Sequence, residues 1–364
     1  MKRFLFLWAI LSMSFLGFTQ QNTRNYWVKG KVVQADNKQS LLGASVYAEN
    51  TTLGTTTDQD GNFALQLYEG GYGLVVSFAG FNTQSIRISQ SDNKELFFEM
   101  TPKDKIMQDV AIVSTGEVKN GWEKYGGFFL NEFIGTTPNR DSCLLKNTES
   151  LKFFFSKRKN RLKVFATEPL IIENRALGFV LKYDMDSLVH EYNSGLTLYS
   201  GYPSFEYISP VDENEKQRWE SARKKAYLGS VLHFMKSLYR KELEKNKFEV
   251  KFLVNINDAD SALKLANYYD ALRYEKNDST GMVSILPNQL RVGVLYNGAK
   301  PQESFLKQNT DAPTEFQFST LHFQAGEKIV IEQNGFYFEQ QDITINEYWE
   351  WCKMAEMLPY DYEP

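Results

Sequence analysis

Leu42–Phe81 reads LGASVYAENTTLGTTTDQDGNFALQLYEGGYGLVVSFAGF. Short runs of alternating apolar and polar residues are broken by Gly, Asp and Asn clusters, the pattern of strands joined by tight turns. Phe63, Leu65 and Leu67, then Leu74, Val76 and Phe78, occupy every second position, so each set falls on one face of its strand. Asp58-Gln59-Asp60-Gly61 and Glu69-Gly70-Gly71 supply turns. Working outward, Tyr26–Val33 (YWVKGKVV) reads as a preceding strand ended by Asp36-Asn37, and Ser45–Ala48 and Gly54–Thr57 as short extended pieces. Ile86 and Ile88, then Leu96, Phe98 and Met100, supply the last two strands. Roughly seven short strands with no helical period, between Asn25 and Pro102, describe a β-sandwich.

The order VKGKVV, LLGASV, GTTTDQDGNFAL and LVVSFAGFNT resembles the carboxypeptidase-regulatory-like domain. This is a transthyretin-like sandwich found in exported proteins of Bacteroidetes-type bacteria. Met107–Val113 also resembles the segment on the C-terminal side of that domain in such proteins. The resemblance implies a structural or adaptor module; the domain accompanies certain carboxypeptidases and carries no peptidase site of its own. Later segments, among them FFLNEFIGTTPN and WEWCKMAEMLPYDYEP, are similar to uncharacterised exported proteins bearing the same module. That likeness brings no catalytic residues to transfer.

Composition agrees with a β-rich protein. The chain of 364 residues carries 27 Phe, 20 Tyr and 6 Trp, and aromatic rings pack well on pleated surfaces. The formal charge of -4 argues against general nucleic-acid binding, which needs a basic surface. Lys2 and Arg3 precede an apolar run from Phe4 to Phe18, too short and wrongly flanked for a membrane span, so residues 1–19 read as a signal peptide. Gly17 and Thr19 stand where cleavage before Gln20 requires small residues. No transmembrane segment is expected once the signal is removed. The two cysteines, Cys143 and Cys352, make no disulfide framework or zinc ribbon.

After a connector at 103–119 the texture changes, and 120–364 reads as an α+β domain. GWEKYGGFFLNEF is dense in Gly and aromatics, with its paired glycines suited to a sharp turn or close backbone approach. Leu151–Phe155, Leu162–Ala166, Leu170–Ile172, Phe179–Tyr183 and Leu196–Ser200 read as strands. Lys157, Arg158 and Lys159, with Lys152, Arg161 and Lys163 behind them, form a basic hairpin tip. Such a patch could meet lipid headgroups, glycan or nucleic acid; the simpler reading is a solvated turn. From Asp212 to about Asn246, Trp219, Ala222, Ala226, Gly229, Leu232, Met235, Tyr239 and Leu243 recur at helical spacing, giving a long amphipathic helix, or two broken near Gly229 and Ser230. Asp260–Leu272 reads as a second short helix. Leu290–Tyr296, Glu315–Phe323, Lys328–Glu332 and Phe336–Phe338 are further strands, and the closing segment is a short helix stopped at Pro359.

Chemistry is sparse. His190, His233 and His322 lie far apart with no zinc-ligand spacing, which disfavours a zinc carboxypeptidase. No GxSxG elbow exists; Gly229-Ser230 ahead of His233 fits a helix crossing better than a dyad. GGYG at Gly70–Gly73 lies in a hairpin, not before a helix, so it is no phosphate loop. Asp58, Asp60 and Asn62 as calcium ligands would need a loop where FALQL is a strand. Paired carboxylates need only spatial proximity, and Glu132, Glu168 and Glu173 in the aromatic-rich section are the ones to inspect.

The sequence therefore supports no catalytic, cofactor-binding or metal residue and no cofactor. Its leading reading is an exported, non-enzymatic structural, adaptor or binding protein of the cell envelope, in the periplasm, at the outer membrane or secreted. The partners expected are envelope proteins or glycans, not nucleic acid. The alternative is a carboxylate-dependent hydrolase of envelope glycan or peptide in the C-terminal domain. An outer-membrane receptor barrel is disfavoured by too few long strands.

Overall fold

The computed structural model describes residues 25–89, 95–103, 116–256, 259–338 and 342–364. The expected signal peptide, residues 1–19, and Met107–Val113 lie outside them.

Seven strands build the N-terminal part: β1 (Asn25–Gln34), β2 (Ser45–Ala48), β3 (Gly54–Thr56), β4 (Asn62–Tyr68), β5 (Tyr72–Ser77), β6 (Gln84–Ile88) and β7 (Leu96–Met100). They form two sheets, ordered β4-β1-β7 and β3-β2-β5-β6. Val28 and Val32 from β1, Phe63, Leu65 and Leu67 from β4, and Leu74, Val76, Ile88 and Phe98 close the core between the sheets. The period of two decides which side chains go inside. At Gly61 the backbone has φ +76°, and the Asp58 side chain accepts from the amides of Asp60 (2.9 Å) and Asn62 (2.8 Å), so this DxDG segment is a self-bonded turn.

The rest of the described chain forms two further layered bodies. In the first, the helix α1 (Gly121–Phe133) packs on a six-stranded sheet of β8 (Cys143–Leu145), β9 (Leu151–Ser156), β10 (Arg161–Ala166), β11 (Leu170–Asn174), β12 (Phe179–Glu191) and β13 (Leu196–Tyr207). The order is β8-β11-β12-β10-β9, with β13 antiparallel along β12. Phe129 and Phe133 from α1 meet Phe153, Val164, Leu181 and Leu188 in the core. The α1 segment is therefore not a turn: Gly127 has open space where a side chain would go, and the nearest atoms to a Cβ on Gly126 belong to the Trp122 ring of the preceding turn. The paired glycines weaken the helical signal without breaking the helix, because the aromatic face is held by packing.

Two helices come next, α2 (Glu213–Tyr227) and α3 (Val231–Tyr239). The single long helix is not what forms. Gly229 adopts φ +87°, and a Cβ there would meet Gln317 Oε1 at 2.5 Å and the Tyr296 ring at 2.6 Å. Ser230 caps α3 by accepting from the His233 amide. The break lets α2 send Tyr227 into the first core while α3 sends Phe234, Met235 and Leu238 into another.

That second core lies under a five-stranded antiparallel sheet. Its strands are β14 (Phe248–Ile256), β15 (Ala259–Lys264), β18 (Arg291–Tyr296), β19 (Gln317–Phe323) and β21 (Ile343–Glu347), in the order β15-β14-β18-β19-β21. Beside it stands a small sheet of β16 (Glu275–Lys276), β17 (Val283–Ile285) and β20 (Ile329–Ile331). The expected helix over Asp260–Leu272 is instead the edge strand β15 followed by α4 (Tyr268–Ala271), which Asn267 caps through the Tyr269 and Asp270 amides. Leu263, Ala266 and Tyr269 mimic a helical period across the strand-to-helix junction. Among the described residues the remaining α-helices are α5 (Glu303–Gln308) and α6 (Tyr348–Trp351). After α6 comes a single 3-10 turn at Met354–Glu356, and the chain then runs on as a strap.

The strap links all three bodies. The Ala355 amide donates to Ile134 O (3.0 Å), Lys236 Nζ donates to Tyr362 O (2.7 Å) and Glu363 Oε1 (2.9 Å), and the Tyr360 amide donates to Asn50 O in the sandwich (2.7 Å). Asp361 accepts from the amide and hydroxyl of Thr52.

Candidate functional site

The sandwich turns its two sheets to different surroundings. Against the body it presents β3-β2-β5-β6. The β2–β3 loop joins the edge of β13, where the Asn50 amide donates to Pro203 O (2.7 Å) and the Phe205 amide to Thr51 O (2.9 Å). Asp184 on β12 accepts from Ser77 (2.8 Å) and Thr83 (2.5 Å). Glu332, 3% exposed, accepts from the Gly71 amide (3.2 Å) and pairs with Arg87 (2.9 Å), whose guanidinium lies 4.0 Å from the Phe338 ring. A Cβ on Gly71 would overlap the Glu332 carboxylate, and one on Gly73 would come within 2.7 Å of Glu49 Oε2. GGYG is thus a glycine-made recess for two carboxylates, one of them from the body. Burial pushes the Glu49 carboxyl up to about 7. Central strand β5 is buried on both sides, Val75 as fully as Val76, because the body covers its outer face.

Toward solvent the sandwich presents β4-β1-β7. Trp27 and Phe97 are each 59% exposed and Tyr68 44%. Trp27 stands opposite Gln66, Asn25 opposite Tyr68 and Lys31 beside Phe97. Trp27 and Tyr68 are diagonal neighbours, and Phe97 lies four residues further along, about 13 Å by strand rise. Lys29, Lys31 and Gln66 provide donors between them. The result is a flat, pleated surface that can stack rings against a partner and donate hydrogen bonds to it. Parity along YWVKGKVV assigns Trp27, Lys29 and Lys31 to the face opposite Val28 and Val32, so strand alternation is the sequence signal that locates this surface.

The three glutamates do not converge. Glu132 on α1 accepts from Thr197 Oγ1 (2.7 Å) and Lys353 Nζ (3.3 Å). Glu168 is exposed, beside Asn147 Nδ2 at 3.3 Å. On β11, Glu173 is held below the usual carboxylate range by hydrogen bonds from Arg175 and Lys146. A general acid needs the opposite shift. His190 approaches Thr197 Oγ1 through Nδ1 (2.8 Å) and packs edge-on against Phe128 and Tyr192. Since Thr197 has one proton and gives it to Glu132, Nδ1 must carry the imidazole proton. Burial lowers His233 to about 4, and its Nδ1 accepts from the Gly229 amide (3.1 Å). It is a neutral, structural histidine, and Ser230 serves as a cap beside it. Cys143 and Cys352 are free thiols, both raised by burial.

An open groove of about 660 Å³ crosses the outer face of the five-stranded sheet. Leu253, Leu295 and Phe318 are among its apolar lining, Phe305 and Pro313 among the residues of the covering segment, and its carboxylates, Asp311 and Glu347, are exposed. Glu132, Glu168 and Glu173 lie elsewhere.

With this geometry in hand, the class of the N-terminal part is clear: residues 28–112 match the model of the CarboxypepD_reg-like domain. Over 120 residues the chain is 36% identical to TonB-dependent receptor SusC of Bacteroides thetaiotaomicron, covering 32% of this chain and 11% of the receptor. Over 119 residues it is 24% identical to TonB-dependent receptor P3 of Formosa agariphila, covering 33% and 11%. The chain thus spans 11% of the length of each of these relatives. Among solved structures, a 9R-lipoxygenase from Cyanothece is 11% identical at a TM-score of 0.15, covering 59% of this chain and 48% of that one; this likeness bears on neither fold nor activity. No described helix is long and apolar enough to cross a membrane.

Proposed function

We propose that this chain is an exported, non-enzymatic adaptor of the cell envelope. In this reading residues 1–19 are the signal, 25–102 the sandwich, 103–119 the connector, and 120–364 the α+β region that carries the sandwich as a rigid head. One observation carries it: the sandwich commits one sheet to the body and leaves Trp27, Tyr68 and Phe97 exposed on the other. Exposed rings of this size on a flat face suit stacking and partner burial. Similarity to TonB-dependent receptors over the same region supports an envelope setting and partners there, envelope proteins or glycans.

The hydrolase alternative receives no support. Glu132 and Glu173 are each engaged by cations, and Glu168 is solvated. A photo-crosslinking residue placed at Trp27 should capture an envelope component in intact cells, whereas one placed at the buried Val28 should not. Equal capture from both positions, or none from Trp27, overturns the proposal. If envelope glycan or peptide is cleaved by the chain and Glu132→Gln or Glu173→Gln abolishes the cleavage, the hydrolase reading takes its place.

A further inference from the structure

We propose that the free edge of β13, Leu196–Ser200, pairs antiparallel with the same stretch of a second copy of this chain, about a two-fold axis at Leu198. The contact belongs to the body and is independent of what the open face of the sandwich binds.

Chain addition along β13 is already visible further along the same edge. The Asn50 amide donates to Pro203 O and the Phe205 amide to Thr51 O, so the sandwich occupies the edge at Pro203–Phe205. The Pro203 carbonyl and the Phe205 amide therefore point away from β12, and the period of two gives the main-chain groups of Tyr199 and Thr197 the same direction. Among the described residues no strand other than β12 lies beside them. At its other end the stretch stops at the hairpin turn, where the Gly195 amide donates to Glu191 O (2.8 Å).

Natural sheets blunt their edges with charged residues, Pro or bulges. Leu196–Ser200 (LTLYS) holds no charged residue and no Pro, and it leaves Leu196 46% and Leu198 60% exposed. Register sets these two beside Glu191 and Val189 on the sheet face opposite α1. Thr197 and Tyr199 face α1, bonded to Glu132 and packed edge-on against Phe133. The open window is closed by a turn at one end and by the sandwich at the other, so its centre is Leu198. A two-fold there is the register that uses all of it. Thr197 then pairs with Tyr199 of the copy, each such pair exchanging both N–H···O bonds, and Leu198 meets its own image at a non-hydrogen-bonded position, where side chains come closest. Leu196 meets Ser200. The stretch is uncharged, so no like charges are brought together, and a two-fold pairing closes after two copies.

The test is sedimentation equilibrium of the full chain over a range of concentrations, with cross-linking to fix the register. The contact is small, so association should be weak and concentration-dependent, the mass rising toward twice that of the monomer. Leu198→Lys sets two like charges face to face and should weaken association about ten-fold or more. Leu198→Cys should give a disulfide-linked dimer under copper phenanthroline, because a non-hydrogen-bonded antiparallel pair has the Cα separation a disulfide needs. Leu196→Cys should cross-link to Ser200→Cys in a mixture of the two and far less to itself. The parent controls for Cys143, on β8 at the far edge of the sheet, and Cys352, just after α6. Circular dichroism should show the variants folded, since each altered side chain is exposed. A parent that stays monomeric at every concentration overturns the proposal, as does undiminished association of Leu198→Lys. Self cross-linking of Leu196→Cys as fast as that of Leu198→Cys overturns the two-fold at Leu198.

Discussion

The two sheets of the sandwich come from one short stretch of chain and share one core, yet they face different worlds. Sheet β3-β2-β5-β6 is fixed by an ion pair from the half-exposed Arg87 to the buried Glu332, two hydroxyl donors to Asp184 and backbone bonds to β13. Sheet β4-β1-β7 displays three large aromatic residues to water. Burial alone therefore does not mark functional importance: docking concentrates polar specificity on the covered side and leaves apolar area on the open one.

This contrast can be broken at graded cost. Truncation after Met357 removes Tyr360 and Tyr362 from the first core and strands the ammonium of Lys236, 1% exposed. Losing these buried aromatics and the partners of a buried charge should cost well over about 4 kcal/mol, visible as a large fall in Tm or an insoluble product. Glu332→Ala removes the buried acceptor that holds Arg87 and the Gly71 amide; because Arg87 itself reaches solvent, the change should cost about 1–2 kcal/mol, and chemical denaturation would register it. Glu49→Gln sharpens the electrostatic side. The folded-state carboxyl is raised from 4.5 to about 7 by burial, so its contribution is complete below pH 4.5 and is lost as pH rises through 7. The Tm of the parent should fall between pH 5 and 8 more than that of the Gln variant, and parallel curves would show that Glu49 is not the group responsible. The smallest effect belongs to the open sheet. Trp27→Ala and Phe97→Ala should each change stability by less than about 1 kcal/mol, measured by urea titration, while removing whatever binding the face provides.

Legibility tracks the range of the interactions. The sandwich is readable because strand parity and turn chemistry are local, and Phe63-Leu65-Leu67 states its face within five residues. The helix α1 is hidden because Gly126 and Gly127 advertise a turn, while the force that makes the helix lies in Phe153 and Val164 on strands downstream. Whether 213–239 makes one helix or two hangs on Gly229, whose break answers to Tyr296 and Gln317. The Asp260–Leu272 helix fails because β15 is set by pairing with β14, not by its own spacing. Of the candidate residues, the scatter of Glu132, Glu168 and Glu173 and the Glu332 recess are products of tertiary structure and leave no local trace. The exposed Trp27 does leave one.

The strap at Met354–Glu363 bears on the order in which the protein assembles. Its bonds to Asn50 and Thr52 span as many as 309 positions, and closing contacts of such separation is slow. A chain emerging from its N-terminus can complete the sandwich early, from neighbouring strands alone. That head must then wait, with the Gly71 recess empty until Glu332 has been made and the Asn50 and Thr52 bonds missing until Tyr360 and Asp361 follow. The interval is when this molecule is most open to wrong partners, and the point at which a chaperone would find it.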